Sequence, residues 1–268
     1  MSSNHGSGSG ARRLITTAMA LALAAGVAGC AKDRMSTGSV NRASGYQNMS
    51  ASELDASADK LGKAYTKNPT DRAVAMQYAS LLQMNGRADQ SLAVMRKLAI
   101  AHPKDRQVLA AYGKALAGAG QFEAALDAVR RAQTPEYPDW KLLSAEGAIL
   151  DQLNQPKEAR VLYRKALELK GDEPSILSNL GMSHLLEGDL KTAENYMRKA
   201  SELPGADSRV RQNLALVVGL QGRFKEAEAI ARQELSPDQA QANVAYLQSM
   251  LAQQNAWNQL KDEEKNTN

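Results

Sequence analysis

The sequence predicts an all-α protein made of stacked helical hairpins, and three observations carry that prediction. First, residues 72 to 241 hold one pattern five times at a spacing of 34 residues, without insertions, in blocks that start at Arg72, Arg106, Trp140, Pro174 and Ser208. Second, equivalent columns hold equivalent residue types. The eighth reads Ala79, Gly113, Gly147, Gly181, Ala215, and the twentieth reads Ser91, Ala125, Ala159, Ala193, Ala227. Small residues at those two places are what two crossing helices need for their backbones to approach. Third, large apolar residues recur at columns four, seven and eleven, as in Leu109, Tyr112 and Leu116, which is the 3- and 4-residue spacing of one helix face.

The segment ahead of the array is of another kind. Residues 1 to 11 are polar and rich in Gly and Ser, Arg12-Arg13 adds positive charge, and Leu14 to Gly29 is an apolar run with no charged residue that ends at Cys30. This is the layout of a secretory signal. Val27-Ala28-Gly29-Cys30 also resembles a bacterial lipobox. That resemblance implies cleavage before Cys30, acylation of the cysteine, and an anchor in the membrane; with Ala31 next, it implies the outer membrane, facing the periplasm of a Gram-negative cell. The alternative is a short membrane anchor, but a 16-residue run rich in Ala is marginal for a hydrocarbon layer of about 30 Å. Cys30 is the only cysteine, so no internal disulfide can form. Residues 30 to 49 are rich in Ser, Gly, Asn and basic side chains and read as a flexible tether.

Residues 50 to 71 read as a half repeat that covers the first full copy. Ser50 is placed as an N-cap with Glu53 at N3, Leu61 and Ala64 fall in second-helix columns, and Asn68-Pro69 closes the helix. Inside each full copy (72–105, 106–139, 140–173, 174–207, 208–241) the fifteenth column reads Gly86, Gly120, Asn154, Gly188, Gly222, the residue types that end a helix in the left-handed conformation. Two residues later a second helix opens, with Pro156 in the third copy at a position that needs no amide donor. After the array, Ser236-Pro237-Asp238 starts a helix expected over 237–262, with apolar positions at Val244, Leu247, Met250, Leu251, Trp257 and Leu260, followed by a disordered tail at 263–268. The helix is expected to cover the last hairpin; Trp257 is also a candidate contact for a partner.

A 34-residue helical hairpin with small residues at columns 8 and 20 and a helix-ending residue at 15 resembles the tetratricopeptide repeat. The fourth copy, with Leu180-Gly181, Gly188-Asp189-Leu190, Ala193 and Arg198-Lys199-Ala200 in register, carries the likeness best. The fifth departs from it at Arg211 and Glu234. The resemblance implies one right-handed superhelical solenoid, with columns 2, 5, 6, 9, 12 and 13 of the first helices facing a groove that binds peptide. Here those columns include Met76, Ser80, Gln83, Met84, Ala110, Lys114, Lys141, Ser144, Asp151, Ser178, Asn179, Met182, Leu185, Gln212, Asn213 and Leu216. Asn179 and Asn213 can donate to and accept from a peptide backbone; alternatively they bond within their own repeat. The Lys and Asn pair with which chaperone-tail-binding members clamp a carboxylate is missing from columns 5 and 9.

No catalytic, metal or cofactor reading survives the inventory. His5 lies in the signal, His102 in a turn and His184 at a hairpin-packing column; HExxH, CxxC, GxxxxGK[ST] and GxSxG do not occur. Carboxylate pairs such as Glu226/Glu228 and Glu263/Glu264 read as solvated charge. The formal charge of +4 falls when Arg12 and Arg13 leave with the signal, to 31 basic against 29 acidic residues, which gives no argument for nucleic acid. The lipobox, the repeat count and the tail Asn243 to Trp257 resemble the TadD-type lipoproteins of the tight-adherence pilus system. That resemblance implies a pilotin-like factor assisting an outer-membrane secretin. A scaffold for peptidoglycan synthesis or outer-membrane protein assembly, and a soluble periplasmic chaperone if Cys30 is not acylated, are the alternatives.

Overall fold

A computed structural model describes residues 50–134, 136 and 138–267; the expected signal, Cys30 and the tether lie outside them. The described residues form twelve α-helices. They are α1 (Ala51–Lys67), α2 (Arg72–Met84), α3 (Ala88–Ala101), α4 (Arg106–Gly118), α5 (Phe122–Ala132), α6 (Trp140–Gln152), α7 (Pro156–Leu169), α8 (Pro174–Leu186), α9 (Leu190–Glu202), α10 (Ser208–Leu220), α11 (Phe224–Ala231) and α12 (Pro237–Thr267). The expected all-α class holds. By its contacts the chain divides into two compact units, one up to Gly171 and one from Asp172, and the 34-residue period runs through that point without a break.

Each helix start has a local cause. Ser50 and Glu53 form the expected capping box. Asp71, Asp105, Asp139 and Asp207 stand one residue before α2, α4, α6 and α10, and their carboxylates accept from the first-turn amides of Val74, Val108, Lys141 and Val210. Glu173, in the same place before α8, makes no such bond, but Pro174 follows it and has no amide hydrogen to satisfy. Asn154 adopts φ 59°, matching Gly86, Gly120, Gly188 and Gly222 at 70–83°. The chain then closes each turn with a bond from the next amide to a carbonyl five residues back, as in Arg87 to Leu82 and Gln155 to Leu150, both at 2.8 Å.

The small columns mark the crossings of each hairpin. A Cβ on Gly147 would stand 2.7 Å from a Tyr163 ring carbon and 3.1 Å from the Ala159 carbonyl oxygen; one on Gly113 would meet Val129 and Ala125 in the same way. In the last hairpin the eighth column carries a methyl, Ala215, against the small Ala231, and Ala240 of α12 joins the cluster. In the first unit the core runs from Ala75 to Ile149, and α1 adds Leu54 and Ala58 against Leu81.

In the second unit α12 lies against α10 and α11, with Leu247 in the space beside Gly219 that a side chain there would fill. It continues past residue 262 to Thr267 rather than ending in a disordered tail, because Lys261 to Lys265 are all polar residues that a helix accommodates, Lys and Glu foremost. Among the described residues no helix is long and apolar enough to cross a membrane.

Candidate functional site

The first helices of the hairpins carry the groove columns, and the two units place them as follows. In the first unit Met76 packs half-buried on the core, Ser80 is exposed, and Gln83 and Lys114 are half-buried. Lys141 holds its ammonium 5.4 Å from the Trp140 ring centroid. Ser144 and Asp151 are buried, which removes them from the surface a peptide can reach. Asp151 accepts the Tyr163 hydroxyl at 2.8 Å, so its carboxylate is engaged inside its own hairpin. Burial, then the Asp151 charge, push the Tyr163 phenol well above its ordinary value and keep it a donor.

In the second unit Asn179 and Met182 are half-buried, while Ser178 and Leu185 are buried. Gln212 donates to Ser208 at 2.9 Å. Asn213 neither faces outward unengaged nor bonds within its own repeat: its amide donates to the Ser178 hydroxyl at 3.1 Å and ties α10 to α8. Asn213→Ala and Ser178→Ala are each expected to cost about 1 kcal/mol, and the double variant little more than either, since both remove one bond. Urea unfolding of the two single variants and the double checks this. Trp257 lies on α12; its surroundings are outside the described side chains.

Two features were missed at the level of sequence. Arg211 and Glu234, the departures of the fifth copy, form an ion pair with each other, and Arg211 also donates to the Ala206 carbonyl at 3.1 Å. Glu226 is not simply solvated. It accepts from Arg198 and Arg223, and the same arginines and Gln221 converge on Glu194. Burial would raise the Glu194 carboxyl, but those donors outweigh it and hold the group at about 2. The cluster is closed on itself, with each acid met by at least two donors. Among the described residues no group of His, Cys, Asp and Glu could hold a metal ion.

A hairpin repeated at this period, with its crossings and turns in these columns, is a defined family unit. The tetratricopeptide-repeat family matches residues 142–173 and 174–207, and a second tetratricopeptide-repeat model matches 209–233. Those three stretches, from 142 to 233, are the part of the chain that matches tetratricopeptide repeats. Solved structures with the same fold include pilF of Pseudomonas aeruginosa, at 19% identity over 74% of this chain and 93% of that one, with a TM-score of 0.52. A thermophilic tetratricopeptide-repeat protein of Thermus thermophilus follows at 19% identity, 65% and 96% coverage and a TM-score of 0.57. One from Parabacteroides merdae gives 17%, 68% and 72%, and 0.54. Comparison with curated proteins finds no match. Tetratricopeptide repeats stack into interaction scaffolds that bind peptides or proteins.

Proposed function

We propose that this chain is a non-catalytic, lipid-anchored interaction factor that acts in assembly of the bacterial envelope, as a pilotin-like helper of an outer-membrane secretin in tight-adherence pilus biogenesis. The observation that carries this reading is the joining in one chain of the Val27-Ala28-Gly29-Cys30 lipobox to an array of tetratricopeptide repeats. An acylated Cys30 holds the repeats at a membrane surface. Two or more acyl chains make that hold stable where one is marginal.

Anchored there, the repeats meet a partner also confined to the membrane, so a modest intrinsic affinity suffices through raised effective concentration. The exposed or half-buried side chains at these columns that the reading assigns to the partner are Met76, Ser80 and Gln83 in the first unit and Met182 in the second. The methionines adapt to apolar side chains of varied shape.

A crosslinked pull-down of the chain from its native envelope tests the reading. Recovery of a secretin with other pilus-assembly proteins is the expected result, together with loss of membrane retention in Cys30→Ala. Recovery of cell-wall synthases or general outer-membrane assembly proteins instead would overturn the pilus assignment, and an unchanged membrane fraction for Cys30→Ala would overturn the lipid anchor.

A further inference from the structure

Outside the groove columns, the first unit has an open cleft of about 860 Å³ between α1 and α3, with α2 as its floor. Its size falls within the range of known ligand pockets. Tyr65 and Tyr78 meet there, ring centroids 5.4 Å apart and planes tilted by 36°, and buried Leu82 and Val94 back them from beneath. Gly62 leaves the Tyr78 ring uncovered, because a Cβ at that position would stand 3.2 Å from the phenol oxygen. Tyr65 and Tyr78 are both half-buried, and neither hydroxyl makes a hydrogen bond among the described residues. Burial, then the neighbouring Tyr78, push the Tyr65 phenol above its ordinary value, so it remains a protonated donor.

The walls add charge. Lys63 of α1 and Lys97 of α3 line opposite sides, both exposed, and neither has an ion-pair partner among the described residues. Asp59 is the single carboxylate in the lining, against those two ammonium groups. The cleft therefore offers an aromatic and aliphatic floor, two unengaged phenol donors and a positive rim. Its open shape suits an extended chain rather than an enclosed small molecule.

We propose that this cleft binds an extended acidic segment of a partner protein, with an apolar or aromatic side chain seated over Gly62 against Tyr65 and Tyr78 and flanking carboxylates held by Lys63 and Lys97. Carboxylates complement this site because Lys63 and Lys97 can only donate and outnumber the one carboxylate, Asp59, while both phenols can donate as well as accept; an ammonium left without an acceptor on binding would oppose association. The apolar floor supplies what an ion pair at an exposed rim does not, since such pairs alone contribute little. The site is separate from the groove columns, and the pull-down result above does not decide it.

The test uses a fluorescently labelled, end-blocked peptide alternating Phe and Asp, with fluorescence anisotropy against the full chain. Peptides alternating Phe with Lys and Ser with Asp serve as controls. The Phe/Asp peptide is expected to bind about tenfold or more tighter than either control, with an affinity that falls as salt is raised. Lys63→Glu with Lys97→Glu is expected to weaken it by about tenfold or more, with an unchanged melting temperature because both side chains are exposed. Equal binding of the Ser/Asp peptide, or a double variant that binds as the parent does, would overturn the proposal. So would displacement of the peptide by vesicles of anionic phospholipid that themselves retain the chain through the same two lysines, which would assign the cleft to a lipid surface.

Discussion

Gly181→Leu is expected to destabilise the protein by about 3 kcal/mol, which for a chain of this size lowers the melting temperature by roughly 6–12 °C. A Cβ at that position would lie 2.8 Å from Met197 Cγ and 3.0 Å from the Ala193 carbonyl oxygen. The methionine can turn aside; the carbonyl belongs to the backbone of α9 and moves only if the two helices separate. Gly181→Ala brings the same Cβ against the Ala193 carbonyl and is expected to cost about 1–2 kcal/mol; leucine costs more because its further carbons must also enter the space that Met197 fills. Thermal unfolding followed by circular dichroism distinguishes the two. An unchanged midpoint for the leucine variant would show that α8 and α9 do not cross at this column.

Glu194→Gln is expected to lower stability by about 2–3 kcal/mol near neutral pH. The carboxylate receives Gln221, Arg198 and Arg223 together, and an amide leaves part of that donor set unmatched. The pH dependence follows from the depressed value of about 2 against an ordinary 4.5. A carboxyl whose folded value lies below its unfolded one contributes fully above the unfolded value. That contribution is lost as pH falls from about 4.5 through about 2. The gap between parent and variant should therefore be widest near neutrality and close toward pH 2. Asp105 and Asp189, also held below their ordinary value, lie outside the cluster and cancel in the difference, whereas Glu226, held low by the same two arginines, titrates as part of it. Urea titrations of both proteins across that range measure the gap; a gap independent of pH would show that Glu194 acts through packing rather than charge.

Much of the hairpin was legible because its demands are local. Asn154 could be placed at a left-handed position from its column alone, since few residues other than glycine take that conformation, and its φ of 59° agrees. Pro156 could open a helix for an equally local reason, the absence of an amide hydrogen where none is used. The candidate site was legible only in its register. The columns of Ser144 and Asp151 were read as groove-facing, but both side chains are buried, and nothing in the 34-residue period says that Tyr163 reaches back to hold Asp151. The cleft between α1 and α3 was not read: Gly62 falls at the column that holds Arg96, Arg130, Arg164, Arg198 and Arg232 in the full copies, but the period does not say that its missing side chain lies over Tyr78.

By itself, then, the sequence determined the helical class, the place of each turn and the small residues at each crossing, all of which follow from conformational limits and contacts inside one hairpin. The tertiary structure alone decided how the polar side chains are committed. Asn213 is spent on Ser178, 35 residues earlier; Arg211 and Glu234, the two departures of the fifth copy, pair with each other; and Glu194 gathers donors from two further elements. Such partners are joined across helices, where the choice depends on the distance and rotamer that packing enforces, and a one-dimensional period carries neither.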